Sequence, residues 1–248
     1  MSKENDGLPY LSRKDLDQLG EKYVAEFCPE ALKEPMPLDI DKFVAFFLGM
    51  NQDYQWLSHN GVYLGLTVFN DTDLLPVYDP ELNEAKYVSE KARTVVIDNR
   101  LLEADQEHRY RFTMGHEAGH GILHAGLYMN DPNQEDLFVA RTEPIIKCRV
   151  DAFIKFKSNR MWTSNDWIEW QANQFSSAFL MPHSMIMKLI SGSHASTRDK
   201  AFDAAMRIRS VSEIFNVSKQ AAKIRLENLG LIDAYPLHEI IYQMSFVG

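Results

Sequence analysis

His116, Glu117 and His120 stand in the order His-Glu-x-x-His within "RFTMGHEAGHGILH", residues 111–124. Four helical residues advance by roughly 400°, so on a helix the two imidazoles project from one face a turn apart, a separation at which both reach one divalent ion. Glu117 then sits where a carboxylate can take a proton from water attacking a carbonyl and hand it to a leaving amine. The chemistry this implies is amide hydrolysis with one Zn2+ ion as the default cofactor; Mn2+ and Fe2+ also suit a His/His/carboxylate set. The competing reading is a pair of buried, hydrogen-bonded histidines on the core face of a helix.

Such an ion needs a third protein ligand and an open fourth position. His124 extends the ladder, but three imidazoles on successive turns of one rod do not readily close around one ion, so His124 is expected to support a ligand. The third ligand must come from another element, and Glu169 in "SNDWIEWQANQFSSAFLMP" is the best candidate. One turn on, Asn173 shares its face and is expected to hydrogen-bond a ligand histidine. Asp166 on the same helix is the main rival, with Asp151 and Glu143 as further competitors.

The elements that must position these groups are legible in outline. "PLDIDKFVAFFLGM" predicts a helix capped by Asp39 or Asp41 and ending near Gly49. Between Gly61 and Asp98, "GVYLGLTVF", "LLPVYD" and "RTVVID" predict three strands of a small sheet. The motif helix is expected to start near an Asp105 cap, run four to five turns (roughly, at 3.6 residues each) and stop at Gly126. Residues 125–164 form an insertion with strand-like pieces at "LFVART" and "CRVDAFIKF". The glutamate-bearing helix is capped by Ser164 or Asn165 and closed by Pro182. Further helices are expected at about 183–190, 197–215 and 219–229. The domain reading is an N-terminal extension with a helix over 1–36, a peptidase domain over 37–191 and a helical tail over 192–248.

Composition narrows the function classes. With 45% hydrophobic residues the chain can bury a core, and no apolar run is long enough to span a membrane. The start lacks an apolar leader, and the two cysteines, Cys28 and Cys148, share no close spacing, so a cytoplasmic protein is expected. A net charge of −9 argues against a protein that coats nucleic acid. Between Ser196 and Gly230, however, seven basic residues outnumber four acidic ones. That stretch includes "SVSEIFNVSKQAAKIRLENLGLI", a helix-turn-helix shape whose second helix carries Lys219, Lys223 and Arg225. Direct DNA binding through 196–230 is the sharper reading of it. A helical subdomain packed on the core with solvated charges is the favoured one, because the chain is acidic and little follows Gly230.

"RFTMGHEAGHGILH" with "EWQANQFSSAFLMP", a preceding "TVVID" strand and a following "FNVSKQAAKIRLENLGLI" resembles the ImmA/IrrE family of zinc metallo-endopeptidases, over about Pro37 to Ile232. The two helices are the specific part. The resemblance implies an α+β, zincin-like (minimal gluzincin-like) domain whose sheet packs on the His-Glu-x-x-His helix, followed by a helix-turn-helix-like subdomain. It assigns His116, His120 and Glu169 as metal ligands, Glu117 as the catalytic residue and Asn173 as a polar support behind the ligands. It implies a helix-turn-helix repressor as the substrate, cleaved to relieve repression of a stress or mobile-element regulon. The 49-residue step from His120 to Glu169 is longer than in compact members, and the short stretch after the helical tail leads to the expectation that the C-terminal sensory domain of some members is lacking. Two other classes are set against this: a catalytically silent module that sequesters a partner, which an intact Glu117 disfavours, and the DNA binder. For substrate, a peptide could add as a strand to a sheet edge, with Val95 to Asp98 the expected edge.

Overall fold

A computed structural model describes residues 8–128, 145–149, 162–192 and 199–245. The chain divides into two compact units, Met1–Leu16 with Asp39–Ser176, and Asp17–Leu38 with Ser177–Gly248. The elements in chain order are helices α1 (Arg13–Phe27) and α2 (Ile40–Lys42), then strands β1 (Asn51–Gln55), β2 (Tyr63–Val68), β3 (Thr72–Asp79), β4 (Glu84–Glu90) and β5 (Thr94–Asp98). Helices α3 (Glu107–Leu123) and α4 (Ala125–Tyr128), strand β6 (Ile145–Arg149) and helices α5 (Ser164–Leu180), α6 (His183–Gly192), α7 (Lys200–Phe215), α8 (Lys219–Asn228) and α9 (Leu237–Met244) follow. This is an α+β fold.

The first unit is built on a four-stranded mixed sheet of order β1-β5-β2-β6. β1 runs parallel to β5, whereas β2 is antiparallel to both β5 and β6. Helix α3 packs on β2 and β5. The three expected strands are present, but "LLPVYD" belongs to β3, which pairs with β4 in a separate hairpin. The hairpin turns its Leu75, Val77 and Val88 toward Leu57, Leu66, Val68 and Val96. The alternation of buried and exposed positions along β3 follows from that one-sided contact. β5 is buried at every residue and hydrogen-bonded on both sides. The expectation that Val95 to Asp98 form an exposed edge is therefore wrong, and among the described residues the outer strands are β1 and β6.

Capping chemistry sets the helix boundaries. Asp39 caps α2, its carboxylate accepting from the Lys42 amide at 3.0 Å, and Phe43–Phe47 continues as a π-helical turn to Gly49, which has φ of 62°. Helix α3 begins at Glu107 after a 3-10 turn that contains Asp105, so Asp105 is not the cap. It ends at Leu123 with His124 in the C-cap position, and Gly126 lies inside α4. Thr163 caps α5, where the expectation was Ser164 or Asn165. Its hydroxyl faces the Asp166 amide at 3.2 Å, and Asp166 Oδ2 accepts the Thr163 amide at 2.8 Å, a reciprocal capping box. "LFVART" and most of "CRVDAFIKF" lie outside the described residues, as do Asp151 and Glu143.

In the second unit α7 ends at Asn216, a left-handed residue with φ of 52°, and Ser218 caps α8 by accepting the Ala221 amide at 3.0 Å. Helix-turn-helix shape and Ser218 cap are as expected; α9 is an additional helix. Most basic side chains of this stretch are engaged locally. Arg225 is buried and donates to Asp17 of α1 at 2.5 Å and to the Met181 carbonyl at 3.2 Å. Lys223 pairs with Glu227, Arg209 with Glu213 and Lys200 with Asp233, and Arg207 donates to the Leu231 carbonyl.

Asp53 of β1 and Glu90 of β4 hydrogen-bond each other. Burial, together with the Asp53 carboxylate, pushes Glu90 up to about 7, while Asp53 is held below its usual value by its bonds from Glu90 and Gln55 despite burial. The pair thus holds one proton at mildly acid pH. A raised folded value means that Glu90's stabilising share is complete below its ordinary 4.5 and is lost as pH rises through about 7. Glu90→Gln is expected to melt with wild type near about pH 5.5 and above it near about pH 8, where wild type sets two carboxylates face to face. Thermal denaturation at the two pH values checks this; equal melting temperatures at both would rule the shared proton out.

Candidate metal centre

Helix α3 is buried from Thr113 to His120 without interruption, so its polar groups must find partners inside the protein. Small residues let α5 come close enough to supply them. A Cβ at Gly119 would lie 3.2 Å from the Ala172 backbone, and one at Gly115 would lie 2.6 Å from Ser176 Oγ, which itself donates to the Phe112 carbonyl at 3.0 Å. Along this seam Glu169 and Asn173 of α5 face His116 and His120 of α3.

The two imidazole Nε2 atoms are 2.9 Å apart. Glu169 Oε2 lies 3.4 Å from His116 Nε2, and Oε1 lies 3.5 Å from His120 Nε2. One ligand atom from each of the three residues falls within 4.8 Å of the others, the one such His/Cys/Asp/Glu cluster among the described residues. Glu169 Oε2 is buried with no hydrogen-bond partner. Burial, helped by His116 and His124, drives His120 well below its ordinary range, so it is the neutral imidazole that metal ligation requires. Two imidazole nitrogens, that of His120 neutral, and an unsatisfied carboxylate oxygen converging in a buried space fit a divalent cation. Asp166, the rival third ligand, is committed to the capping box at the start of α5.

Each histidine is held from behind. His116 Nδ1 is 3.0 Å from Asn173 Oδ1, and His120 Nδ1 is 3.0 Å from His124 Nδ1. His124 Nε2 in turn meets Gln171 Oε1 at 3.0 Å. Asn173 and His124 thus lie behind the two imidazoles, each within hydrogen-bond distance of one Nδ1. Glu117 is fully buried against β2. Thr67 Oγ1 donates to its Oε2 at 2.7 Å and lies 3.0 Å from its backbone carbonyl, while Oε1 has no hydrogen-bond partner. A Cβ at Gly65 would come within 2.8 Å of that Oε1, so the missing side chain at Gly65 makes the carboxylate's space. Burial pushes the Glu117 carboxyl up to about 8, against the opposing pull of His116 and the Thr67 bond, and with the Glu169 charge adding to the rise. A cation at the triad favours the carboxylate form and works against that rise.

Residues 79–227, more than half of the chain, match the model of the Peptidase_M78 family, described as the IrrE N-terminal-like domain. The chain belongs to the Peptidase_M78 family. No curated relative matches it. The Peptidase_M78 match spans β4 to α8 and takes in both site helices, consistent with the ImmA/IrrE resemblance and with a zincin-like α+β architecture. For a Peptidase_M78 protein, the His/His/Glu cluster points to a bound metal ion.

Thr67, Gly65 and Gln171 are the site residues that sequence reasoning missed. Thr67 is a lone hydroxyl in an otherwise apolar strand, and Gly65 interrupts the same strand; both were usable signals. Thr67→Val keeps the shape and removes the donor to a buried carboxylate, so the metal-free protein is expected to lose about 1–3 kcal/mol. Urea unfolding of the two proteins measures this; an unchanged midpoint would mean that Glu117 finds another donor.

Proposed function

We propose that this protein is a zinc-dependent endopeptidase that cleaves a helix-turn-helix transcriptional repressor in the cytoplasm. The observation that carries the catalytic part is the convergence of His116, His120 and Glu169 with the Glu117 carboxylate packed beside them. His116, His120 and Glu169 hold the ion, and Zn2+ is the natural occupant of two imidazoles and a carboxylate, with Mn2+ or Fe2+ as substitutes. When bound, the ion supplies Lewis acidity, which polarises a carbonyl and makes water acidic enough to attack near neutral pH.

Glu117 is the general base: it takes the proton of the attacking water and returns it to the amine nitrogen as the peptide bond breaks. Thr67, bound to Oε2, holds the carboxylate in one orientation and leaves Oε1 unengaged. Asn173 and His124 fix the planes of the two imidazoles so that their Nε2 atoms face each other. A polypeptide substrate can satisfy its backbone by adding a strand to the sheet. With β5 enclosed, β6 is, among the described residues, the outer strand that packs against α3, which supports a substrate strand running along it.

The repressor and its regulon come from the resemblance of the two site helices and the tail to ImmA/IrrE peptidases. No described helix is long and apolar enough to cross a membrane, which is compatible with action beside a DNA-bound substrate. Direct DNA binding by the tail is disfavoured by Arg225, turned inward onto Asp17, and by Lys223, tied to Glu227.

Incubating the zinc-loaded protein with the helix-turn-helix repressor encoded nearest its own gene tests the reading. Wild type is expected to cut at one site, a chelator to stop cleavage and added Zn2+ to restore it. Glu117→Gln is expected to lower the rate by about 10²-fold or more while still binding Zn2+. Cleavage that survives Glu117→Gln would sink the assigned base.

A further inference from the structure

His120 stands at one end of a chain of hydrogen bonds whose other end is a main-chain carbonyl in the N-terminal strap. His120 Nδ1 meets His124 Nδ1 at 3.0 Å, His124 Nε2 meets Gln171 Oε1 at 3.0 Å, and Gln171 Nε2 donates to the Pro9 carbonyl at 2.5 Å. All three side chains are fully buried, so no water competes for these bonds. The polarity of the chain follows from its last member. A carbonyl only accepts, so the Gln171 amide nitrogen faces Pro9 and the amide oxygen faces His124. His124 Nε2 must then carry the proton. In a neutral His124 that proton is the one N–H, so Nδ1 accepts and His120 Nδ1 is the donor; a second proton on His124 would make Nδ1 a donor and reverse this bond. His120 Nε2 is left with its lone pair, and that atom lies 2.9 Å from His116 Nε2 and 3.5 Å from Glu169 Oε1.

We propose that the strap at Leu8–Tyr10 is a positioning element of the metal centre: through Gln171 and His124, the Pro9 carbonyl fixes the tautomer of His120 and keeps its Nε2 free for an ion. The ligation half rests on the metal reading above; the tautomer half does not. The strap is well anchored for such a role. Leu8 packs with Phe69, Tyr128 and Ile168, and Tyr10 sets its ring edge-on to Trp167 at 6.4 Å. The reverse polarity would protonate His120 Nε2, turning a donor N–H into the triad, and would leave two acceptors face to face at His124 and Gln171. His124 and Gln171 act through His120 and touch no reacting atom; they are positioning residues.

The test uses the full chain, metal-free, with ¹⁵N-labelled histidine. Long-range ¹H–¹⁵N correlations report which ring nitrogen carries the proton. His124 is expected as the Nε2–H tautomer and His120 as the Nδ1–H tautomer; the opposite tautomer at either residue overturns the proposal without reference to activity. Gln171→Leu is expected to scramble the His124 tautomer and to weaken Zn2+ binding, measured by competition with a chromophoric chelator, by about tenfold or more. A folded Gln171→Leu protein with unchanged tautomers and unchanged Zn2+ affinity overturns the relay, and if that variant does not fold, the wild-type tautomers still decide. Wild type that shows the expected tautomers but binds no Zn2+ would refute the metal reading and leave the relay standing.

Discussion

The close approach of α3 and α5 is the constraint on which the centre depends. The His-Glu-x-x-His helix brings two imidazoles and a carboxylate to one face, but Glu169 reaches them only if the second helix lies almost backbone to backbone against the first. Gly115 and Gly119 on one side, Ala172 and Ser176 on the other, form that seam, where an added Cβ would strike the partner at 2.6 to 3.2 Å. The small residues and the functional ones occupy adjacent stripes at the same four-residue spacing. His116 and His120 follow Gly115 and Gly119 by one position, and Glu169 and Asn173 flank the Ala172 and Ser176 stripe. Packing geometry and ligand geometry are therefore one design: a residue large enough to spread the helices would also draw Glu169 away from the imidazoles.

Such packing excludes water, and exclusion turns every polar group in the seam into a demand for a partner. His116 finds Asn173, His120 finds His124, His124 finds Gln171, and Glu117 finds Thr67. What is left over is informative. Among the described residues, Oε2 of Glu169 and Oε1 of Glu117 are the buried carboxylate oxygens without a hydrogen bond, one from the His/His/Glu cluster and one from the glutamate beside it. A folded protein with two such oxygens beside the neutral His120 imidazole has room for positive charge at this place, which a cation supplies.

Much of this was legible from residue types and spacing, and the failures have physical causes. The helical period placed His116 and His120 on one face and Glu169 with Asn173 on another, because that period is a local property of the chain. Choosing Glu169 over Asp166 needed the knowledge that Asp166 closes a capping box with Thr163, which the sequence "TSND" does contain as a Thr-x-x-Asp signal. The sheet was read less well. A continuous apolar run such as "TVVID" is what a strand buried on both faces looks like, but it does not tell an edge from a centre; burial of faces and pairing of edges are separate properties, and the apolar pattern reports only the first. β1, "NQDYQ", has no apolar period at all and joins the sheet through its backbone register with β5, so nothing in its side chains announces it. "LLPVYD" was rightly a strand but belongs to a second sheet, a long-range choice that local pattern does not encode.

The tail shows the same limit for charge. Counting within 196–230 finds an excess of cations and suggests a surface for phosphates, but charges are neutralised by neighbours in space, and those neighbours lie partly outside the window. Asp17, two hundred residues upstream in α1, takes Arg225, and Asp233 lies within reach of Lys200 just beyond the window's end. Within it, Glu213 and Glu227 hold Arg209 and Lys223, and a carbonyl takes Arg207. Lys219, exposed at the start of α8, is the remaining cation of that helix, and it stands at the positive end of the helix dipole with Ser218 beside it. A buried arginine is costly to leave unpaired, so Arg225 is bound to its structural partners far more firmly than an exposed side chain would be to a phosphate. The helix-turn-helix outline therefore describes how α7 and α8 pack, with Arg225 joining α8 to α1 and to the carbonyl of Met181 at the end of α5.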